Sequence, residues 1–249
     1  MRLVSLCPST TETLIALGRA DALVGITKFC IHPEDIVAGI EKVGGTKNPK
    51  VERILELAPD LVFVNEEENR REDYEALSAR LPVEVSFPQR ADEIPAHLRR
   101  IGALIGAEAA AERHAQALES ELAALAAKRR PRAFRYAYLI WKKPFMAAGA
   151  PTYVDDLIGR AGGVNVFAEA PERYPEVDLT TVQPEPDVIL LPDEPFPFSE
   201  QHVPEVQALA PQSRVHLVSG DDLCWHGVRT LRGVQWLRRF LSRFDEEPA

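Results

Sequence analysis

The chain has few cysteines, and their number and spacing argue against a disulfide framework. Only Cys7, Cys30 and Cys224 are present. An odd count at wide spacings fits neither a disulfide-stapled scaffold nor a CxxC metal site. The simplest expectation is a reducing compartment, in which thiols stay free.

Long apolar runs and an excess of basic residues are also missing. No stretch approaches about 18 apolar residues, so we expect no insertion into a membrane. Met1 is followed by RLVSLCPS, which lacks the pattern of an export signal. This predicts a cytoplasmic protein as written, or a periplasmic one if the start is misassigned. The net charge of −9 argues against nucleic acid as a partner, because a phosphate backbone requires a basic face.

Common catalytic motifs are missing as well. The sequence contains no GxSxG nucleophile elbow, no GxxxxGK[ST] phosphate loop and no HExxH zinc motif. Carboxylates occur in pairs, but nothing in the sequence orders them as an acid and a base. The sequence therefore predicts a protein that is not an enzyme.

Alternating strand and helix patterns predict an α/β fold with mostly parallel sheets. The stretch VERILELAPDLVFVNEE at 51–67 has a counterpart in DLTTVQPEPDVILLPDE at 178–194. In each, a helical pattern is followed by Pro-Asp, an apolar run and acidic residues. This repeat predicts two related lobes, an N-terminal one at 1–90 and a C-terminal one at 131–249.

The segment between the two lobes has helical periodicity almost throughout. Apolar residues recur at three- and four-residue steps over 91–128, and the glycines Gly102 and Gly106 weaken the pattern only slightly. We predict one long interlobe helix at 91–130. A helix of about 35 residues is roughly 50 Å long, so it would extend across both lobes.

Four stretches together resemble the class III, helical-backbone substrate-binding proteins of ABC importers, which bind cobalamin, haem and iron–siderophores. They are RLVSLCPSTTETLIALG, VGGTKNPKVERILELAPDLVFV, AGGVNVF and PEPDVILL. The similarity is strongest to the cobalamin-binding branch and its signal-less relatives. The resemblance implies two lobes, a rigid interlobe helix, a ligand cleft between the lobes and no catalysis. It also implies an ABC importer as partner.

An acidic cluster, Glu66, Glu67 and Glu68, follows the predicted strand at 61–64. From the residues alone it is a solvated loop, a docking patch or a site for a hard cation. The resemblance implies that one glutamate on each lobe pairs with arginines of the transporter. We therefore expect Glu67 and Glu194 to dock an importer or, without one, a basic cytosolic partner.

Cys30 and His32 flank a single residue in the motif FCIHPED. Residues i and i+2 of an extended loop face the same side, so a thiolate and an imidazole could together ligate zinc, haem iron or cobalt. His226, in LCWHGVR, is the candidate metal ligand from the other lobe. The alternative is a turn at 29–35 stabilised by Pro33, with no metal.

Aromatic residues make up only 7% of the chain, yet several fall in loops at predicted strand ends. Such residues would line a pocket for a large flat ligand, or would instead cover the core. Basic residues in the same loops would bind ligand carboxylates or phosphates. The aromatic candidates are Phe29, Trp141, Phe145, Tyr174, Phe196, Phe198 and Trp225, and the basic ones are Lys142, Lys143 and Arg229.

These patterns favour a binding protein that captures a small-molecule ligand in an interlobe cleft. The expected ligand is a corrinoid, with haem or another metal chelate second, and the sequence names no resident cofactor. The rival hypothesis is a cytosolic metal-handling protein or an enzyme on the same scaffold. It would use Cys30, His32, Glu66–Glu68 and His226 as ligands or as acid–base groups.

Overall fold

The computed structural model describes residues 1–127 and 133–246. The fold divides into two compact units, and neither is a single continuous stretch of chain. Unit 1 comprises Met1–Pro88, Glu93–Leu118 and His226–Arg229. Unit 2 comprises Gln89–Asp92, Glu119–Trp225 and the chain from Thr230 onward.

Unit 1 is built on a four-stranded, all-parallel sheet with strand order β2-β1-β3-β4. The two interior strands are almost wholly buried, as expected when helices cover both faces of a parallel sheet. The strands are β1 (Leu3–Ser5), β2 (Leu23–Ile26), β3 (Leu61–Asn65) and β4 (Val83–Ser86).

The helices of unit 1 bury aliphatic side chains against this sheet. Leu14 and Ile101, from two different helices, share one core with Leu3 and Phe63 of the sheet. The helices are α1 (Pro8–Ala16), α2 (Glu34–Val37), α3 (Val51–Glu56), α4 (Arg71–Ser78), α5 (Ile94–Ile105) and α6 (Glu108–Ala127), of which α6 continues into unit 2.

Unit 2 contains a five-stranded sheet, ordered β6-β5-β8-β9, in which β7 also pairs with β5. All pairings are parallel except that of β5 with β6. The strands are β5 (Phe134–Trp141), β6 (Met146–Ala147), β7 (Gly163–Asn165), β8 (Val188–Pro192) and β9 (Arg214–Val218). The helices are α7 (Tyr153–Arg160), α8 (Val203–Leu209), α9 (Gly220–Cys224) and α10 (Thr230–Glu246).

The predicted fold class, two α/β units with mainly parallel sheets, is confirmed. The sequence repeat corresponds to β3 in unit 1 and to β8 in unit 2, and each lies between two neighbours in its sheet. Acidic residues follow both strands directly. The domain ranges 1–90 and 131–249 stay a prediction.

The prediction of one helix over 91–130 is wrong, because the helix is interrupted at Gly106. That residue ends α5 in the left-handed conformation, with φ 66° and ψ 42°, which glycine adopts without the steric cost of a Cβ atom. The amide of Ala107 donates to the Gly102 carbonyl at 2.8 Å, and α6 begins at Glu108. A Cβ atom on Gly102 would lie 2.4 Å from that of Ala111, so the two helices pack closely at their joint.

Among the described residues, no helix combines the length and apolar character that crossing a membrane requires.

The joint between α5 and α6 can be tested with one pair of glycine variants. Gly106→Ala should lower the free energy of unfolding by about 1 kcal/mol, because an alanine must adopt the left-handed conformation. Gly159→Ala, in α7, is the control: its added Cβ meets nothing within 4 Å. We expect it to raise stability by about 0.4–1 kcal/mol. Urea unfolding would measure both, and equal gains for the two variants would indicate a continuous helix through 106.

Candidate functional site

In unit 1, the acidic loop after β3 is built on the side chain of Asn65, the last residue of that strand. Its Oδ1 atom accepts the backbone amides of Glu67 at 2.9 Å and Glu68 at 3.1 Å. The Lys47 ammonium donates to the Glu67 carbonyl. These hydrogen bonds therefore fix the backbone of the loop. The side chains of Glu66 and Glu68 are exposed, and that of Glu67 is half-buried.

Asn69 ties the same loop to two other segments of unit 1. Its Oδ1 accepts the Asn65 amide at 2.8 Å, and its Nδ2 donates to the carbonyls of Leu6 at 3.1 Å and Thr46 at 3.0 Å. A buried side chain that satisfies three backbone groups fixes the path of the chain. Asn65 and Asn69 thus give the acidic loop one conformation and leave its charges outward.

His226 lies inside unit 1, in contact with the end of β3 and the start of α1. Its Nε2 atom accepts from the Asn65 side-chain amide at 3.1 Å and lies 3.3 Å from the Ser9 hydroxyl. An amide nitrogen only donates, so Nε2 carries no proton and the ring proton is on Nδ1. The ring centroids of His97 and His226 lie 5.7 Å apart, with the rings edge to face.

Both of these histidines have depressed pKa values. Burial lowers the pKa of His226 to about 3, and the neighbouring His97 adds to the shift. Burial also lowers the pKa of His97 to about 4, with a smaller contribution from the charge of Arg100. The pair is therefore neutral at physiological pH, because burial disfavours the charged form of an imidazole.

The predicted metal site is not supported by the structure. The Cys30 thiol is buried and lies 3.1 Å from the Thr11 hydroxyl and 3.2 Å from that of Thr27. Burial raises the pKa of this thiol, which disfavours the thiolate that binds metals. His226 belongs to unit 1 and not to the second unit. Within residues 1–127 and 133–246, no three His, Cys, Asp or Glu side chains are grouped so that they could hold a metal ion.

Arg229 was expected to face a ligand, but it forms an ion pair within unit 1. Its guanidinium makes two hydrogen bonds to the Glu12 carboxylate, at 2.5 and 2.7 Å, and only 4% of its side chain is exposed. The Val228 amide lies 3.3 Å from the Thr13 hydroxyl that accepts it. Gly227 turns with φ 91°, and a Cβ there would lie 2.2 Å from the same hydroxyl oxygen. The segment 226–229 is thus bound tightly against α1.

Phe29 is an exposed aromatic residue of unit 1. Its side chain is 49% exposed, and the Lys28 ammonium lies 4.9 Å from the ring centroid. An aromatic face held beside a cation in an exposed loop is a suitable surface for a flat or anionic ligand.

In unit 2, an aromatic cluster lies beyond the carboxyl end of β5 and β8. It comprises Trp141, Phe196, Phe198 and His202. The ring centroids of Phe196 and Trp141 lie 5.6 Å apart, with the rings edge to face. The ring centroids of Phe196 and Phe198 lie 4.7 Å apart, with the rings tilted. Phe198 is buried, whereas Trp141 is 43% exposed. The cluster therefore exposes the indole of Trp141 and supports it with the ring of Phe196. It lies at the edge of the sheet where ligands of α/β proteins bind.

The other expected ligand residues of unit 2 differ in exposure. Tyr174 is 37% exposed, with the Arg173 guanidinium 5.5 Å from its ring centroid. Phe145 is half-buried and packs on the core of this unit. The Lys142 ammonium pairs with Glu205 at 2.5 Å.

Trp225 is buried, and its indole donates a hydrogen bond to Glu194. The Nε1–Oε1 distance is 2.5 Å, and 9% of Trp225 is exposed. The Glu194 carboxyl is half-buried, and burial together with Asp221 raises its pKa to about 8. One expected docking residue and one expected ligand residue are therefore in direct contact within unit 2.

Comparison with known proteins gives a family for this arrangement. Residues 3–197 match the family model described as periplasmic binding protein. The chain belongs to this family. The vitamin B12-binding protein of Vibrio parahaemolyticus is 29% identical over 189 residues, which cover 74% of this chain and 68% of that protein.

Solved structures of periplasmic binding proteins have the same fold. The periplasmic vitamin B12 binding protein BtuF of Vibrio cholerae aligns with a TM-score of 0.85 at 23% identity, over 99% of this chain and 98% of that one. The periplasmic heme-binding protein RhuT from Roseiflexus sp. RS-1 aligns with a TM-score of 0.80 at 25% identity, over 95% of both chains. The resemblance seen in the sequence is thereby confirmed.

Sequence reasoning missed the residues that organise unit 1. Ser9, Glu12, Asn65 and Asn69 carry its buried polar contacts. Asn65 and Asn69 did leave a signal, because two asparagines flank three glutamates directly after a strand. Glu12 left none, since its partner lies 217 residues further along the chain.

The buried histidines should make the protein less stable in acid. The unfolded chain binds protons on histidine below about pH 6.5, whereas folded His226 stays neutral down to a pKa of about 3. Stability should therefore fall as the pH decreases from about 6.5, at a limiting slope of about 1.4 kcal/mol per pH unit for each such group. His226→Gln should lose less stability on acidification than the wild type, by urea unfolding followed by circular dichroism. His114→Gln, outside this cluster, is the control, and a constant gap between His226→Gln and wild type would contradict the assignment.

The ion pair between Arg229 and Glu12 should be structural. Arg229→Met should lower the free energy of unfolding by about 3–5 kcal/mol, because it leaves a mostly buried carboxylate without its partner. Adding Glu12→Leu to this variant should restore part of the loss. Chemical denaturation of both variants measures the coupling. If Arg229→Met were as stable as wild type and only weakened ligand binding, Arg229 would be a ligand residue after all.

Proposed function

We propose that this protein captures a corrinoid by non-covalent binding and delivers it to an ABC importer. The observation that carries the proposal is the exposed indole of Trp141, standing on Phe196 at the carboxyl ends of parallel strands. A corrin is a large, flat and mostly apolar ring system, and aromatic walls supply much of the binding energy for such a ligand. The vitamin B12-binding proteins among its relatives support this choice of ligand.

Haem is the second candidate ligand. It is also a flat macrocycle, and heme-binding proteins are among the structural neighbours. Exposed Trp141 and Tyr174 of unit 2 would contact either ligand, and half-buried Phe196 would support the Trp141 ring. Exposed Phe29 of unit 1 is a separate candidate for such a contact. The metal in a corrinoid or haem would arrive with the ligand and not as a resident cofactor.

An importer would be recognised through the two acidic loops. Glu67 and Glu194 follow β3 and β8, the equivalent strands of the two units. The fixed backbone around Glu67 favours docking, because a preorganised charge loses less entropy when it pairs with an arginine. Complementary charges across an interface set orientation and association rate more than affinity.

We propose that the protein works in the periplasm, and its relatives support this choice. Structural neighbours are described as periplasmic, and delivery to an importer takes place on that side of the membrane. No comparison supports the cytoplasmic expectation. The rival hypothesis, a metal-handling protein or enzyme, is not favoured, because the described structure does not gather Cys30, His32, Glu66–Glu68 and His226 into one site.

Ligand binding is tested by titrating the purified protein with cyanocobalamin and, separately, with hemin. Cyanocobalamin at about 100 times its dissociation constant should stabilise the fold by about 2.7 kcal/mol. Trp141→Ala should weaken binding at least about tenfold, which corresponds to about 1.4 kcal/mol. Its stability should change little, because the side chain is 43% exposed.

Tyr74→Ala is the matched control for that variant. Tyr74 is 36% exposed and lies in α4 of unit 1, outside the aromatic cluster of unit 2. It should bind cyanocobalamin as tightly as wild type does. If neither cyanocobalamin nor hemin binds the wild-type protein, the proposed ligand class is wrong. If Trp141→Ala binds normally, the aromatic cluster is not the binding surface.

A further inference from the structure

The loops after β8 and β9 are locked together in unit 2. The Asp193 carboxylate accepts the Gly220 amide at 2.8 Å, and the Asp193 amide lies 3.3 Å from the Val218 carbonyl. Glu194 packs directly on Gly220, where an added Cβ would lie 2.5 Å from the Glu194 Cγ atom. Glycine at 220 therefore permits the close approach of the Glu194 side chain to α9.

This approach brings two carboxyl groups into contact. Glu194 is within hydrogen-bonding reach of Asp221, while its Oε1 atom accepts the Trp225 indole at 2.5 Å. Two carboxylates at hydrogen-bonding distance in a half-buried site cannot both be charged without strong repulsion, so one of them retains a proton. The proton then forms the hydrogen bond that joins the two side chains.

The neighbouring acidic groups of unit 2 disfavour the charged form of Glu194. Asp193 lies beside it on the same loop and disfavours its ionised form. On β5, the Tyr138 hydroxyl lies 3.2 Å from the Cys224 thiol of α9, and burial raises the pKa of this tyrosine well above its usual range. Asp221 and Asp193 favour retention of the proton on Glu194, whereas the hydrogen bond from the Trp225 indole favours its loss. The effect of Asp221 is the larger of the two opposing contributions, so the pKa of Glu194 is raised.

We propose that Glu194 and Asp221 share one proton, and that this proton is a latch that holds Glu194 against Trp225. The backbone of Asp221 is fixed at both ends of α9, because Asp193 accepts the Gly220 amide and the Asp221 carbonyl accepts the Trp225 amide at 3.0 Å. When the proton leaves, Glu194 is the partner that turns towards solvent. Its contact with the Trp225 indole is then lost.

The shared proton links the proposed docking step to proton release. This part of the inference rests on the proposed function. A cationic group of a partner, such as a guanidinium, pairs with the charged form of Glu194. The carboxyl proton must therefore pass to solvent as the ion pair forms. Docking at Glu194 then releases a proton and frees the indole of Trp225, one of the expected ligand residues.

The latch is tested without ligand or partner, so its failure is distinguishable from failure of the proposed function. The chain has three tryptophans, and Trp141→Phe with Trp236→Phe leaves Trp225 as the sole indole. Its fluorescence should change in one transition centred near the Glu194 pKa of about 8. In the same background, Glu194→Gln should abolish the transition and keep the emission of the low-pH form, because an amide imitates the protonated acid.

Asp221→Asn and Asp222→Asn form a matched pair on α9. Asp221→Asn should move the midpoint down by about one pH unit or more, since it removes the facing charge. Asp222, which pairs with Arg232 at 3.3 Å, should leave the midpoint unchanged when replaced. A transition that persists in Glu194→Gln, or a midpoint unaffected by Asp221→Asn, overturns the latch. If circular dichroism shows that Glu194→Gln does not fold, the Asp221→Asn midpoint alone decides.

Stability provides a second readout with a defined sign. The pKa of Glu194 is raised in the folded state from its usual 4.5 to about 8, so its contribution is complete below about pH 4.5 and is lost as the pH rises towards about 8. Relative to Glu194→Gln, the unfolding constant of the wild type should increase about tenfold per pH unit over this window. A ratio independent of pH would contradict a shared proton.

Discussion

The burial of a charged and polar segment within unit 1 is the constraint on which much of that unit depends. His226–Arg229 brings an imidazole, a guanidinium and backbone amides into the interior, and each needs a partner there. Glu12, Thr13, Ser9 and Asn65 supply those partners. Asn65 then directs its remaining oxygen to the acidic loop, so the position of surface charges follows from the satisfaction of buried groups.

The loops after the equivalent strands β3 and β8 are stabilised by different side chains. After β3, a neutral asparagine accepts the loop amides and leaves the glutamates facing outward. After β8, Asp193 takes the amide-accepting role and Glu194 turns inward to an indole and a second acid. A repeat that looks symmetric in the sequence thus produces one loop whose acidic side chains face outward and one whose glutamate turns inward to an indole.

The sequence was sufficient for the fold class and the repeat, because continuous apolar runs bounded by Pro-Asp turns have few other interpretations. It did not reveal the short strands β6 and β7. It was insufficient at Gly106, where a modest propensity cost hid a left-handed break. It also failed for Cys30 and Arg229, which residue type alone made candidates for a site. Their partners, two threonines and Glu12, are brought near only by the fold. Trp141, the last residue of β5, and Phe29 are both exposed, and their role as ligand contacts stays a prediction.

The three-part composition of unit 1 has a consequence for biosynthesis. Glu12 is made 217 residues before Arg229, so a nascent chain carries an unpaired acid in α1 while that stretch is added. The N-terminal sheet therefore cannot reach its final stability until His226–Arg229 has been made, and unit 2 likewise waits for α10. Neither unit completes its contacts early in synthesis, so chaperones that bind nascent chains would meet both units in incomplete form.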